Sequence, residues 1–353
     1  MTMAYKKRQA WLLVLTVGLG ILLNPLNSSM ISVALTRMQA DFGLTFADAS
    51  WLISVFYIAS AAGQPVMGKL SDMFGPKRLF LAGLTLVAVA SLLAPFSPHY
   101  GMLLVWRTLQ AIGSSTLFPS GMNMVRSHIT EGQAQAIAYI SIFASTSAAF
   151  GPSIGGFLIA GWDWQAIFFV NFPFIITSFV LAIFILPQDG EDLSFDWKRI
   201  DWIGILLFII GIVSLILFLL SLEETMNGWA LLMAILSFTM FYFYENRHHE
   251  PFISIETLKK NPTVSWVYIQ FTIICLIYYC YFFGLPTFLQ QVKHYSAHHT
   301  GLIMLALAGF SVVVAPFVGR MVDRHGSKPA MLVGAVLMLI GTGLLLTYDQ
   351  TSS

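Results

Sequence analysis

The chain has 353 residues, of which 57% are hydrophobic and 10% are charged, whereas ordinary soluble domains are about 25% charged. Its formal net charge is +1, which gives no indication of a nucleic-acid partner. A soluble protein of this length cannot bury so much apolar surface, so the composition predicts a protein embedded in a lipid bilayer.

Eleven runs of mostly apolar residues approach the roughly 20 residues that cross a bilayer as a helix. No small-residue cleavage site follows the basic N-terminus, so the first run is interpreted as an uncleaved span. The expected fold is therefore an all-α polytopic membrane protein with about 11 transmembrane helices. These are predicted near residues 11–35, 47–68, 79–98, 101–124, 134–160, 165–186, 200–222, 229–245, 262–291, 299–319 and 329–348.

Basic residues predict the orientation of the spans, because they remain on the cytoplasmic side of a membrane. With the N-terminus inside, the span pattern places fifteen of the 18 lysines and arginines in cytoplasmic segments. Only Arg37 and Lys293 are then external, and Arg107 lies within the fourth span. The sequence thus predicts a plasma-membrane protein whose N-terminus is cytoplasmic.

Polar stretches divide the chain into three parts. Residues 1–187 are predicted to form a six-helix bundle. Residues 188–261 are predicted to form a linker with two extra transmembrane helices. Residues 262–353 then supply the first three helices of an incomplete C-terminal bundle.

One loop pattern occurs twice, after the second and the tenth spans. Each copy has a glycine, an aspartate four residues later, a second glycine three further on, and a basic residue two further. Glycine permits a tight turn between helices, and an aspartate can accept bonds from helix N-terminal amides. Internal repetition is typical of transporters, so both loops are predicted to act as gates. The residues are Gly68, Asp72, Gly75, Lys77 and Arg78 in the first copy, and Gly319, Asp323, Arg324, Gly326 and Lys328 in the second.

Two spans contain residues that are unusual in a membrane. Arg107 and Gln110 lie in the fourth span, where an arginine costs about 2.5–3.5 kcal/mol on insertion scales. We therefore predict that Arg107 faces a wet cavity or a partner, although a snorkelling arginine is the alternative. The fifth span carries small residues at helical spacing and a proline, a pattern that favours close helix contact and a bend. These residues are Gly151, Pro152, Gly155 and Gly156.

Together these motifs resemble those of the major facilitator superfamily. The fifth-span motif, the segment from Trp162 to Pro173 and the central helix pair are similar to the fourteen-span drug:proton antiporters. The resemblance implies two helix bundles that alternate access to a central site and export a lipophilic or cationic small molecule in exchange for protons. It assigns Gly151, Pro152, Gly155 and Gly156 to a pivot, and it places Arg107 and Gln110 near the cavity.

The sequence departs from that family in two ways. The first span has Asn24 and Asn27, which are expected to line the cavity, and Asn27 occupies the position where the family commonly carries an acid. Three spans of the family pattern are also missing, including the one whose N-terminus would meet Asp72. A nutrient importer or facilitator, and a truncated non-transporting membrane protein, therefore remain open alternatives.

No enzyme is expected, because the chain has no GxxxxGK[ST] phosphate loop and no convincing nucleophile–base pair. No cofactor and no metal site are predicted. The expected partners are a small-molecule substrate, the protons that the resemblance implies, and the lipid bilayer, while the sequence does not indicate an oligomeric state. Aromatic residues of the predicted cavity are Trp51, Tyr57, Phe143, Tyr278 and Tyr279.

Overall fold

A computed structural model describes residues 7–190, 200–222, 226–248, 250–295 and 297–347. Within these ranges every regular element is a helix, as the composition predicts. The α-helices are α1 (Lys7–Ile21), α2 (Leu23–Phe42), α3 (Phe46–Phe74), α4 (Pro76–Leu93), α5 (Tyr100–His128), α6 (Gln133–Trp162), α7 (Ala166–Phe169), α8 (Asn171–Ile185), α9 (Trp202–Ser221), α10 (Gly228–Glu245), α11 (Ile255–Lys260), α12 (Pro262–Gln291), α13 (Ala297–His325) and α14 (Ser327–Thr347).

In the described chain, 9 helical segments have both the length and the hydropathy needed to cross a membrane. Two more helices, α5 and α13, have 29 residues each, which is long enough at about 1.5 Å per residue. With these two, the helices coincide in position with the predicted spans. We refer to the side of the molecule that holds Lys69, Lys77, Arg126 and Arg320 as the basic side.

The first span consists of two helices, α1 and α2, which are interrupted at Leu22. Pro25 explains the interruption, because proline has no N–H to donate to the carbonyl four residues earlier. Helix α2 begins directly after the break, and its polar residues Asn24 and Asn27 lie in its first two turns.

Helices α1 to α8 form the N-terminal bundle around one apolar core, in which Leu23, Phe80 and Phe168 are almost fully buried. Helices α4 and α5 approach most closely at two glycines. A Cβ built on Gly83 would overlap Thr116 Oγ1 and lie 2.7 Å from the carbonyl oxygen of Gly113. Only glycine lets these two backbones come so near, and this contact fixes α5 inside the bundle.

The central helices α9 and α10 pair with each other and rest on α3. A small apolar cluster holds this contact, in which Phe208, Phe241 and Phe252 lie with ring centroids 5.4 to 6.4 Å apart. Val66 of α3 is buried against the same cluster. The pair is therefore attached to the N-terminal bundle on the basic side.

The last three spans differ in their surroundings. Helix α13 packs along α6, and the two helices approach closely at Gly319, where a built Cβ would lie 2.8 Å from the Gln135 Cα. Helices α12 and α14 lie beside α13, and no residue in their membrane-spanning windows, Pro262–Tyr281 and Ser327–Leu344, is buried. In the described chain, the packing of α13 on α6 is thus the main contact between the N-terminal bundle and the last three spans, which we call the C-terminal bundle.

Candidate functional site

A cluster of polar side chains lies inside the apolar N-terminal bundle. It combines residues from α2, α4, α5 and α8, and each is at most 2% exposed. Buried polar groups are costly unless they are hydrogen-bonded, so such a cluster is not expected from packing alone. Its members are Asn27, Ser91, Arg107, Gln110 and Asn171.

Gln110 is the centre of the hydrogen bonds in this cluster. Its Oε1 accepts from Arg107 Nη1 at 2.5 Å. Its Nε2 donates to Ser91 Oγ at 2.8 Å and to Asn27 Oδ1 at 3.1 Å. Asn171 Nδ2 donates to the same Asn27 oxygen at 2.8 Å. Four helices are therefore joined by one connected set of amide, hydroxyl and guanidinium groups.

Arg107 is fully buried, and its charge has little compensation. Its guanidinium carbon lies 4.4 Å from the centre of the Phe56 ring, a cation–π contact. Its Nε and Nη2 have no hydrogen-bond partner in the described part of the chain. The bonded cluster also contains no carboxyl group among the described residues. A buried cation with unused donors is costly to maintain, so we expect it to have a functional role.

Asn24, the other polar residue predicted in the first span, makes separate contacts. Its Nδ2 donates to Ser114 Oγ at 2.9 Å and to Ser60 Oγ at 3.5 Å, which links α2 to α5 and α3. The structure thus brings Asn27, Arg107 and Gln110 together and places Asn24 beside them on the same helix, in a different set of bonds.

The first gate loop is held by an acid that the sequence did not single out. Helix α4 has no side-chain cap of its own, and Asp189 supplies one by accepting from the backbone N–H groups of Lys77 at 3.0 Å and Arg78 at 2.9 Å. Gly75 has φ of 96° there, and a Cβ on it would collide with Asp189. Lys77 Nζ in turn donates to the carbonyls of Ile183 and Leu186, so the loop is fastened to the C-terminal end of α8.

Asp72 of the same loop bonds within the N-terminal bundle. Its Oδ1 accepts from Asn123 Nδ2 of α5 at 2.7 Å. Asp72, Asn123 and Asp189 line a depression of about 360 Å³ on the basic side. The remaining glycine of the motif, Gly68, faces α5, with a built Cβ 3.6 Å from Pro119 Cβ.

The second gate loop reaches the other bundle. Asp323 accepts from the N–H groups of Ala134 at 3.0 Å and Gln135 at 3.1 Å, which belong to the first turn of α6. Helix α6 also has no side-chain cap of its own, so Asp323 caps it from α13. An aspartate at a helix N-terminus is favoured by both the hydrogen bonds and the helix dipole. The other predicted residues here, Arg324, Gly326 and Lys328, are exposed.

The predicted pivot residues pack against α2, inside the N-terminal bundle. A Cβ on Gly151 would overlap Ser29 Oγ, and one on Gly155 would lie 3.3 Å from the Met30 Cα. Gly156 is open except for Val33 at 4.0 Å, and Pro152 is exposed. The contacts of Asp323 and Gly319 with α6 lie near the other end of that helix, and a pivot role for the glycines stays a prediction.

We expect Asp323→Asn to weaken the contact between the bundles. The variant loses a charged acceptor that serves two N–H groups on an exposed surface, worth about 1–2 kcal/mol. Spin labels at Thr130→Cys and Arg324→Cys, in a chain with both native cysteines replaced, should show a broader and longer distance distribution.

Glu131→Gln is the control for this measurement, because Glu131 is an exposed acid in the loop that leads into α6. It should leave the label distances unchanged. If Asp323→Asn gave the same distances as the parent chain, the proposed cap would contribute nothing to holding α6 and α13 together.

Besides Asp189, three residues of the site were not predicted from the sequence. Ser91 and Phe56 are ordinary residues in apolar runs, and only the packing of α4 and α3 on α5 brings them to Gln110 and Arg107. Asn171 gave a signal, since it is a lone amide in an apolar stretch, but it was not assigned to the cavity. Among the predicted aromatic residues, Phe143 packs against Gly18, and Trp51, Tyr57, Tyr278 and Tyr279 are between 44% and 56% exposed.

The chain is similar to several curated transporters. The uncharacterized MFS-type transporter YwoD of Bacillus subtilis (strain 168) is 45% identical over 349 residues, which are 98% of this chain and 77% of the relative. The multidrug resistance protein B homolog of Mycobacterium tuberculosis (strain ATCC 25618 / H37Rv) is 29% identical over 89% of this chain and 59% of the relative. The riboflavin transporter RibZ of Clostridioides difficile (strain 630) is 27% identical, covering 96% and 74%.

Two solved structures share the fold. The proton:xylose symporter XylE aligns with a TM-score of 0.57 over 92% of this chain and 71% of its own. A peptide transporter, POT, aligns with a TM-score of 0.58 over 90% and 69%. Both are 13% identical in sequence, so the likeness concerns architecture alone.

Residues 17–353 match the model of the Major Facilitator Superfamily. That range contains both gate loops, the buried cluster around Gln110 and the contact between α6 and α13. Helical architecture, repeated loops and homologues agree, and the chain therefore belongs to the Major Facilitator Superfamily as a multi-pass membrane transporter.

Proposed function

We propose that the chain exports lipophilic or cationic small molecules in exchange for protons by alternating access. The observation that supports this most directly is the cap that Asp323 places on α6. It joins the bundles on the basic side through two hydrogen bonds to an exposed helix end. Such a contact is weak enough to open and specific enough to re-form, as a gate requires.

The names of several similar proteins favour efflux over uptake. Besides the multidrug resistance protein B homolog, similar proteins include the multidrug resistance protein Stp of Mycobacterium tuberculosis and the tetracenomycin C resistance and export protein of Streptomyces glaucescens. The small-residue face of α6, with Gly151 and Gly155 against α2, matches the motif that resembles drug exporters. We place the protein in the plasma membrane with its N-terminus and the basic side in the cytoplasm.

A second candidate function is facilitated transport without protons. One observation favours it: the bonded cluster around Gln110 has an amide, Asn27, at the position where related exporters commonly carry an acid. An amide does not exchange protons at physiological pH. The riboflavin transporter RibZ shows that similar proteins are named for a nutrient as well.

Vesicles test the two candidates directly. The chain is reconstituted into liposomes with an imposed pH gradient, and the movement of ethidium, a lipophilic cation, is followed by fluorescence. Drug–proton exchange is expected to concentrate ethidium on the acidic side, and an ionophore that dissipates the gradient should abolish this accumulation.

The outcomes separate the candidates. Ethidium that only equilibrates, with no effect of the gradient, would support a facilitator and contradict exchange. Vesicles with an Asp323→Asn chain serve as the comparison, because the gate is impaired while the buried cluster is untouched. If no ethidium moves at a rate above that of empty vesicles, the proposal of lipophilic-cation export is wrong.

A further inference from the structure

Two carboxyl groups meet on the basic side of the central helix pair, away from the transport site. Asp201 caps α9, where its Oδ1 accepts from the Gly204 N–H at 2.8 Å. Glu245 is the last residue of α10, and both acids are only 3% exposed. A Cβ built on Gly204 would overlap Asp201 Oδ2 and lie 2.5 Å from Glu245 Oε1. The two carboxyl groups therefore converge on the one residue that leaves them space.

The surroundings do not balance two negative charges. Both oxygens of Glu245 are buried and have no well-directed hydrogen-bond partner among the described residues, although the backbone N–H groups of Phe252 and Ile253 lie near them. His248 Nδ1 lies 4.0 Å from Asp201 Oδ2 and can cancel at most one charge when it is protonated. Lys69 of α3 donates instead to the carbonyl oxygen of Pro251 at 3.0 Å. Two neighbouring carboxylates out of water are strongly disfavoured, so the geometry favours a proton on one of them.

The other titratable groups described near the pair add no positive charge to it. Tyr244 stacks on the His248 ring with centroids 5.3 Å apart, and its neutral hydroxyl group interacts with Asp201. Arg247 and Glu250 are exposed, and Asp72 on α3 bonds to α5. Within the described residues, no group of three or more metal-ligating side chains converges. The ligand that this arrangement fits is therefore a proton.

A short strap, residues 250–253, lies over the two acids. The N–H of Phe252 donates to Asp201 Oδ2 at 3.4 Å, and the Phe252 ring packs on Phe208. Pro251 is held by Lys69, one residue beyond Gly68, where the first gate loop begins. The strap thus connects the helix pair to α3 beside the gate.

We propose that Glu245 carries a proton beside the Asp201 carboxylate and that this proton keeps the strap docked against α3. With the proton on Glu245, its carboxyl group donates to Asp201, which continues to accept from the N–H groups of Gly204 and Phe252. Loss of the proton leaves two adjacent carboxylates, which repel each other and admit water, and the strap is released. The docked state binds one more proton than the released state, so a rise in pH favours release.

Hydrogen–deuterium exchange of the full chain in detergent tests this site. The protection of peptides covering residues 250–254 is measured between about pH 5 and pH 9 and normalised to the unstructured-chain rate at each pH. In the parent chain, protection is expected to fall by up to about tenfold per pH unit over part of this range. Glu245→Gln, whose amide resembles the protonated acid, should keep the strap protected at every pH.

Glu256→Gln is the matched control, because Glu256 is an exposed acid on α11 whose partner is Lys260. It should follow the parent chain. Flat protection in the parent, or an unchanged pH dependence in Glu245→Gln, would overturn the proposal. If Glu245→Gln does not fold, Asp201→Asn takes its place, since its amide oxygen still accepts from the Gly204 N–H. An unchanged pH dependence of strap protection in that variant would equally overturn the proposal.

Discussion

Gly319→Leu is expected to separate the two bundles and to abolish transport. A Cβ at this position would lie 2.8 Å from the Gln135 Cα and 3.2 Å from the carbonyl oxygen of Ala134. Both are backbone atoms, which do not move aside as the end of a long side chain does. Overpacking of a close contact typically costs about 1–3 kcal/mol, and a leucine adds three more carbons beyond the Cβ. Helix α13 must therefore move away from α6, which also draws Asp323 away from its amides.

The matched control is Gly309→Leu on the same helix, where a Cβ meets nothing within 4 Å among the described residues. Label distances between Thr130→Cys and Arg324→Cys should lengthen in the first variant and remain those of the parent in the second. Ethidium movement in vesicles should be lost in Gly319→Leu and should remain that of the parent in Gly309→Leu. Normal transport by Gly319→Leu would show that the close approach of α6 and α13 is not needed for function.

Arg107→Met is expected to separate stability from transport. The substitution removes a fully buried charge that has two nitrogens, Nε and Nη2, without partners among the described residues, which relieves a penalty of several kcal/mol. It leaves Gln110 Oε1 without its donor and removes the contact with Phe56, which together cost about 2–5 kcal/mol. These contributions offset each other, so we expect the melting temperature to remain near that of the parent. Transport should fall at least about tenfold, the equivalent of about 1.4 kcal/mol.

Arg126→Met provides the comparison, since Arg126 is an exposed arginine near the end of the same helix. It should change neither property. Thermal unfolding in detergent and initial rates in vesicles give the two readouts. Full transport by Arg107→Met would mean that the buried charge serves no step of the cycle, and a large loss of stability would mean that its role is structural.

Much of the fold follows from the sequence because lipid imposes a simple rule. A segment that crosses a bilayer must be apolar and helical, so the runs that became α3, α4 and α6 are evident from composition. The break at Leu22 is less evident, although Pro25 signals it. Tertiary contacts follow no such rule. Asp323 and the N–H of Ala134 are 189 residues apart in the chain, and only the packing of α13 on α6 brings them together.

In the candidate site too, the sequence indicates individual residues but not their tertiary contacts. The sequence predicts Arg107 at a wet cavity or a partner because an ionisable group is costly in hydrocarbon, and the family resemblance implies Gln110 beside it. The bonds of Gln110 to Ser91 and of Asn27 to Asn171 were not expected, since a serine or an asparagine in a span has many partners available. Asp189 is a similar case, because a carboxylate in a polar stretch gives no indication of the helix that it caps.

The two caps made by aspartates differ in one respect that affects the transport cycle. Asp189 caps α4 from within its own bundle, so that helix end stays ordered whenever the bundle is folded. The first turn of α6 depends instead on a residue of the opposite bundle, and it should fray each time the halves part. The hydrogen-exchange rate of the Ala134 and Gln135 amides would then report the fraction of time that the transporter spends open to the basic side.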